Sequence, residues 1–487
     1  MLPKSYRQNG AGAEPESFET LIPARLDRLP WHRVHWLIVL SLGITWVLDG
    51  LEVTLLGAIA GVLESADTLG LSAAQIGFIS SSYLVGAVLG AVVFGFLTDH
   101  FGRRRFFFLT LSIYLLGVGL TALSWDLWSF ACFRFLTGAG VGGEYSAVNS
   151  AIDELMPARL RGRIALFVNG SFWLGSAVCS LLTVIILNPL ILPRWLGWRV
   201  GFAIGPAIGL VILYLRRFIP ESPRWQMTHG QAAQAERTVA ILEEQVFQGE
   251  PPPLPTERPL RLRIGGNTGL REVLRTIAVD YRASAFLSVG LVSAQAFTYN
   301  AIFFTYALVL IRYFGVRTES AGFYLLPFAI SNLCGPLFLG RFFDTVGRRQ
   351  LIAGTFGVAG TILLVTGFLF VKGKLNLLDQ LALWTALFFF ASAAASSAYL
   401  TVGELFPLEL RAVAIAIFYA IGTAVGGVAG PWFFGYLIDT GSPWTLFEGY
   451  TLAGLLMLGA AMLEVFLGVD ASQKSLEELA APLLSRT

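Results

Sequence analysis

Four ionisable side chains stand inside long apolar runs: Asp49, Glu52, Arg134 and Glu144. A charge at the centre of a lipid bilayer costs about 2.5–3.5 kcal/mol on insertion scales, so each such group needs a partner or a function. Asp49 and Glu52 are three residues apart and share one helix face. Arg134 and Glu144 are ten apart, close to three turns, and are expected on roughly one face of their helix. A guanidinium beside a carboxylate favours its ionised form, and separating the two in apolar surroundings favours the protonated form. A pair of this kind that forms and breaks as a protein moves would load and unload a proton.

The elements that must carry these groups follow from composition. The chain has 487 residues, 55% hydrophobic and 14% charged, and its mean hydropathy is +0.67. Soluble domains carry about 25% charged residues, so an ordinary soluble enzyme, a disordered chain and a nucleic-acid-binding protein are excluded. A spanning helix takes about 20 apolar residues. Apolar runs near 36–62, 73–97, 106–124, 127–153, 164–188, 199–218, 283–311, 319–340, 350–371, 379–404, 412–437 and 444–468 predict an all-α polytopic membrane protein of 12 spans. The three cysteines, Cys132, Cys179 and Cys334, lie in apolar stretches and point to neither a disulfide framework nor a metal site.

Basic residues set the orientation. The termini and the loops after spans 2, 4, 6, 8 and 10 hold 27 of the 34 Lys and Arg, with Arg216 counted in the loop after span 6. The positive-inside rule then places both termini in the cytoplasm of a plasma-membrane protein. The expected organisation is a cytoplasmic segment 1–35, a six-helix bundle 36–218, a linker 219–282, a second bundle 283–468 and a tail 469–487. Residues 24–36 mix basic groups with Leu and Trp and read as an interfacial helix. The linker has helix-like stretches at 230–248 and 269–281 and a Pro-rich breaker between them. No signal peptide is expected.

The chain repeats itself. Gly95, Asp99, Gly102, Arg103 and Arg104 recur as Gly340, Asp344, Gly347, Arg348 and Arg349, at an offset of 245 residues. Glu154 and Arg161, with the Leu and Pro between them, recur as Glu404 and Arg411 at an offset of 250. Two motifs in one order at nearly one offset indicate a duplicated six-span unit. In the first motif the Gly permits close helix contact, and the Asp at the membrane edge can accept from a helix N-terminus or pair with an Arg of the other half. Such a latch, present in one conformation and broken in another, would act as a gate. The Gly-rich stretches Gly138–Gly143 and Gly422–Gly430 allow either close crossing or bending.

These motifs resemble the major facilitator superfamily. Pro220 to Trp225 (Pro-Glu-Ser-Pro-Arg-Trp) resembles a signature of its sugar porters, Arg134 to Tyr145 is similar to span 4 of metabolite:proton symporters, and Asp49 to Glu52 is similar to a motif of aromatic-acid:proton symporters. The resemblance implies two six-helix bundles around a central cavity and transport by alternating access. It also implies roles. Glu52 and Arg134 fall where proton-coupled sugar porters carry a coupling carboxylate and its arginine, with Asp49 and Glu144 as further proton or substrate ligands. Gln295 and Asn300 fill two amide positions of the sugar-porter span 7, while Ala294 replaces another. Asn169 falls at a substrate-binding Gln position and Tyr399 near a frequent Trp.

Amides suit hydroxyl-rich or carbonyl solutes. The aromatic faces of Trp173 and Tyr299, beside Asn169 and Asn300, suit sugar rings, aromatic rings or cations. The abundant Phe residues read as lipid-facing or core. The leading expectation is a proton-coupled symporter importing a small organic solute, either a sugar or polyol or a small aromatic or organic acid. The alternatives are a proton-independent facilitator, an organic cation or zwitterion carrier and, further off, a membrane sensor. An enzyme is disfavoured, since no span holds a Ser–His or His–Glu constellation. The expected partners are the solute, protons and the lipid bilayer, for a monomer with no cofactor, no metal and no nucleic acid.

Overall fold

The computed structural model describes residues 17–216, 220–228, 230–247, 260–263, 270–342, 346–406 and 408–469. Two six-helix bundles account for most of it. The first consists of Arg33–Glu64 (span 1), Ala73–Phe101 (span 2), Arg103–Ala122 (span 3), Leu127–Leu155 (span 4), Ala158–Ile186 (span 5) and Arg194–Arg216 (span 6). The second consists of Arg282–Phe314 (span 7), Thr318–Leu339 (span 8), Arg348–Val371 (span 9), Leu377–Leu405 (span 10), a composite span 11 and Pro443–Leu467 (span 12). Eleven of these are long and apolar enough to cross a membrane. The twelfth, span 4, has the same build but carries Arg134 and Glu144 at lipid depth.

Sequence signals start the helices. On the face away from the termini, spans 2, 4 and 10 open with capping boxes, in which Ser72, Asp126 and Asn376 accept the N–H of Gln75, Ser129 and Asp379. On the face of the termini, spans 3 and 9 start after Gly102 and Gly347, at φ of 100° and 107°. Side-chain-bearing residues avoid that backbone region, which explains why the same Gly stands in both copies of the repeated motif.

Close crossings tie the first bundle together. A Cβ at Gly138 or Gly142 of span 4 would stand 1.9 Å from the carbonyl oxygen of Tyr83 or Ala87 of span 2, so these glycines serve dense packing. Span 11 uses both options open to its glycines. It is interrupted by a π-helical turn, Thr423–Gly427, between Leu408–Gly422 and Ala429–Asp439, and Gly426 packs against the carbonyl of Ser293 in span 7.

Residues 24–36 do not form one interfacial helix. A short helix, Ile22–Asp27, docks on the linker helix Ala232–Phe247, and span 1 starts at Arg33. Ile22, Leu26 and Leu29 are buried against Met227, Ala235, Val239 and Leu242, so their apolar surface is satisfied by protein. Arg25 and Arg28 hydrogen-bond Glu243, and Arg25 also reaches Glu236. Ser17–Thr20 and Leu260–Arg263 form a two-stranded antiparallel ladder beside this cluster in sequence, with Ser17 opposite Arg263.

Candidate functional site: two buried ion pairs and an aromatic cage

Span 1 brings Glu52 into the first bundle, and span 4 brings Arg134. Glu52 Oε2 lies 3.8 Å from Arg134 Nη1, with side-chain exposures of 1% and 0%. Neither carboxylate oxygen, and no side-chain nitrogen of Arg134, makes a hydrogen bond among the described residues. The guanidinium instead lies over two rings, Tyr83 at 4.8 Å and Phe202 at 5.4 Å. Charge attraction and cation–π contact hold the pair, and the oriented bonds of a stable buried bridge are absent.

Glu144 belongs to a different pair. Its Oε1 is 2.9 Å from Nη1 of Arg216 in span 6, both buried. Arg216 also donates to the Phe107 carbonyl and to Thr45 Oγ1, and it stacks over the Phe107 ring. Two expectations are corrected here. Ten residues of helix fall about 80° short of three full turns, so Arg134 and Glu144 face different neighbours. Arg216, counted by sequence among loop charges, is buried inside its span. A third correction concerns the second bundle, where Glu464 of span 12 is buried beside Arg349, its Oε2 without a hydrogen-bond partner among the described residues. Asp49 is buried among Glu144, Arg216, Tyr114 and Glu52, and its Oδ1 has no hydrogen-bond partner among the described residues.

An aromatic cage joins the bundles at mid-depth. The Trp173 ring of span 5 is 6.0 Å from Tyr299 and 6.4 Å from Phe303 of span 7. Tyr299 stacks on Phe303 at 5.5 Å and meets Phe388 of span 10 edge-on at 5.3 Å. Phe304 continues the wall to Tyr83, at 6.5 Å, and so to Arg134. The Tyr299 hydroxyl and Asn169 Oδ1 are buried atoms without a hydrogen-bond partner among the described residues. Asn300 Nδ2 is spent on the Ala296 carbonyl of its own helix, at 2.8 Å, and Gln295 is buried one turn earlier. Phe303 and Phe388 are missed by sequence reasoning. Phe303 was legible as the residue one turn after Tyr299, whereas Phe388 sits in an apolar run that gives no such signal.

The repeated loop motifs are described in part. Glu221 of Pro220–Trp225 sits at the start of span 3, where the Arg104 N–H approaches its Oε1 and Oε2 at 3.3 and 3.2 Å. A carboxylate at a helix N-terminus offsets the unpaired N–H groups there. Gly95 lies within the last two turns of span 2, Gly340 follows the end of span 8, and Arg348 and Arg349 open span 9. The side chains of Asp99, Arg103, Asp344, Glu154, Arg161, Glu404, Arg411 and Tyr399 lie outside the described residues. Away from the termini the two bundles are latched. Asp439 of span 11 accepts the N–H of Ala73 and Ala74 of span 2, at 2.9 and 2.8 Å, and Arg194 pairs with Glu319.

Twofold-repeated helix bundles, charge buried within the spans and a ring-lined junction between the halves define a multi-pass transporter of the major facilitator class. The model of the family described as "Sugar (and other) transporter" matches residues 53–481, and the chain belongs to that family. It is a transporter, not an enzyme. The niacin transporter of Acinetobacter baylyi is 25% identical over 94% of this chain and 99% of that protein. The 4-hydroxybenzoate transporter of the same organism is 27% identical over 87% and 88%. Among solved structures, the E. coli xylose transporter in an inward open conformation aligns with a TM-score of 0.68 at 20% identity, over 91% of this chain and 98% of that one. A proton:xylose symporter bound to 6-bromo-6-deoxy-D-glucose aligns with the same score at 22% identity, again over 91% and 98%.

Proposed function

We propose that the chain is a proton-coupled symporter of the plasma membrane, with both termini cytoplasmic, that imports a small aromatic acid. The carrying observation is the Glu52–Arg134 pair, buried and in ionic reach yet without a hydrogen bond on either side among the described residues. Such a pair is a poor stabiliser and a good switch. A proton arriving from outside binds the Glu52 carboxylate and cancels its attraction for Arg134. Rocking of the bundles then opens the site to the cytoplasm, where the proton leaves to water and the ion pair re-forms. Asp49 and Glu144 complete the buried charge network beside it.

The ring-lined junction supports a flat aromatic solute. Trp173, Tyr299, Phe303 and Phe388 offer faces and edges to a ring, while the Tyr299 hydroxyl and Asn169 supply a few polar contacts. A pyridine carboxylate or a hydroxybenzoate has this shape, and two relatives are named for such solutes. A sugar is less well served, because Ala294 replaces an amide and Asn300 is engaged within its own helix. The gating residues of the repeated loops, from Asp99 and Arg103 to Glu404 and Arg411, fit a latch on the cytoplasmic face that alternates with the Asp439 latch opposite.

The test is uptake of labelled nicotinate and 4-hydroxybenzoate into proteoliposomes under an imposed proton gradient, with xylose as competitor. Glu52→Gln is expected to keep exchange of preloaded solute and to lose uphill accumulation. Undiminished accumulation in that variant removes Glu52 from the coupling role. Competition by xylose but not by the aromatic acids overturns the substrate class.

A further inference from the structure

Most glycines buried between the helices of the first bundle face main chain. At Gly86, Gly90, Gly138 and Gly142 an added Cβ would stand about 2 Å from a carbonyl oxygen of the opposing span, so these residues hold helices together. Gly143, Gly201, Gly205 and Gly209 meet side chains instead, and of these Gly205 of span 6 is the one that meets a carboxylate. A Cβ there would stand 2.1 Å from Glu52 Oε1 and 3.0 Å from Glu52 Cδ, and the third nearest atom is Val118 Cγ1 at 3.1 Å. All three are side-chain atoms.

We propose that Gly205 is a positioning residue for proton coupling: its bare Cα seats the Glu52 carboxylate and leaves it within ionic reach of Arg134. The inference rests on Glu52 being the coupling acid. No hydrogen-bond donor among the described residues orients this carboxylate, so its place is set by walls and by charge. One oxygen lies against Gly205, and the other is 3.8 Å from Arg134 Nη1. One turn earlier on span 6, Gly201 faces Leu55 and Ile186, and Phe202 carries the ring under Arg134. The same short stretch of span 6 thus shapes both partners. A methyl group at 205 would force Oε1 back to at least 3.0 Å, the closest approach real Cβ atoms make. The helix itself does not suffer, because Ala is a better helix former than Gly. What moves is the carboxylate, in a medium where its attraction for a guanidinium depends steeply on position.

Two measurements on the full-length protein test this. The first is a thermal-unfolding cycle in detergent with Gly205→Ala, Glu52→Ala and the double variant, which needs no substrate. A filled seat predicts that Gly205→Ala lowers the midpoint with Glu52 present and leaves it unchanged or raised when Glu52 is Ala. Equal shifts in both backgrounds overturn the proposal. The second is nicotinate transport in proteoliposomes. Gly205→Ala is expected to reduce uphill accumulation about tenfold and to flatten the pH profile of uptake, with exchange within about twofold of wild type. Glu52→Asp, shorter by one methylene, should recover part of the accumulation in the Gly205→Ala background. Gly119→Ala is the control, since its Cβ would meet only Pro206 Cγ at an ordinary 3.5 Å. Wild-type accumulation in Gly205→Ala, or loss without recovery by Glu52→Asp, overturns the seat. Full accumulation in Glu52→Gln instead defeats the coupling-acid reading, whatever Gly205→Ala does.

Discussion

The two buried arginine–glutamate pairs of the first bundle have similar burial and opposite construction. Arg216 spends its donors on the Phe107 carbonyl and Thr45, lies over the Phe107 ring and stands 2.9 Å from Glu144. Arg134 makes no hydrogen bond among the described residues, and its carboxylate partner is 3.8 Å away. Burial alone therefore does not separate a structural bridge from a switch. The number of oriented bonds does, because each must be broken before the pair can change state. Arg216 is built to stay, and Arg134 to let go.

The largest expected effect breaks the tighter pair. Arg216→Met should cost about 3–5 kcal/mol of stability, the usual result of stripping one partner from a buried bridge, read as a fall in the thermal midpoint in detergent. Arg134→Met should cost about 2 kcal/mol less, since no hydrogen bond is lost with it. If the two variants are equally destabilised, the contrast is wrong.

A smaller effect sharpens the contrast from the side of the cage. Trp173→Leu should weaken aromatic-acid binding about tenfold, in line with about 0.5–1.5 kcal/mol for a ring contact beyond its buried area, while leaving uptake coupled. Tyr299→Phe should leave stability unchanged, because the hydroxyl has no internal partner among the described residues, and should raise the KM if that hydroxyl meets the solute. A Trp173→Leu variant that loses coupling with affinity unchanged would move the cage into the charge switch.

The smallest effect concerns the Arg25–Arg28–Glu243 cluster, outside the spans. Burial by itself would push the Glu243 carboxyl up, but hydrogen bonds from Arg25 and Arg28 outweigh it and hold the group below the ordinary carboxylate range. A depressed value means stability that is present above the ordinary carboxylate pKa and is lost as pH falls through the lowered one. Docking of Ile22–Asp27 should therefore loosen in that acid window, and only weakly in high salt, because the Glu243 side chain is 7% exposed. Amide exchange in Ile22–Asp27 reads it out. Salt should leave the two pairs inside the bundle untouched, and a salt-sensitive Glu144–Arg216 pair would contradict its burial.

Much of the architecture was legible because membranes enforce local rules. Apolar length, the Lys and Arg bias and the capping residues act within a helix or a loop, and the recurrence of Gly102 and Gly347 follows from a backbone angle that side chains avoid. Proximity was not legible. Residues 24–36 carry the composition of an interfacial helix, yet a linker helix some 200 residues away in sequence takes up the apolar side chains. Arg216 reads as one more loop charge until span 6 is packed against spans 1 and 3.

By itself, the sequence determined a duplicated twelve-span transporter with acids and an arginine at lipid depth, since composition, period and repeat are properties of the chain. Only the tertiary structure decided that Glu144 faces Arg216, that Arg216 holds further hydrogen bonds while Arg134 holds none among the described residues, and that a glycine of span 6 lies against the Glu52 carboxylate. Those outcomes depend on the angles and distances at which helices cross. A difference of one turn or of 1 Å there leaves no trace in residue spacing along any single helix.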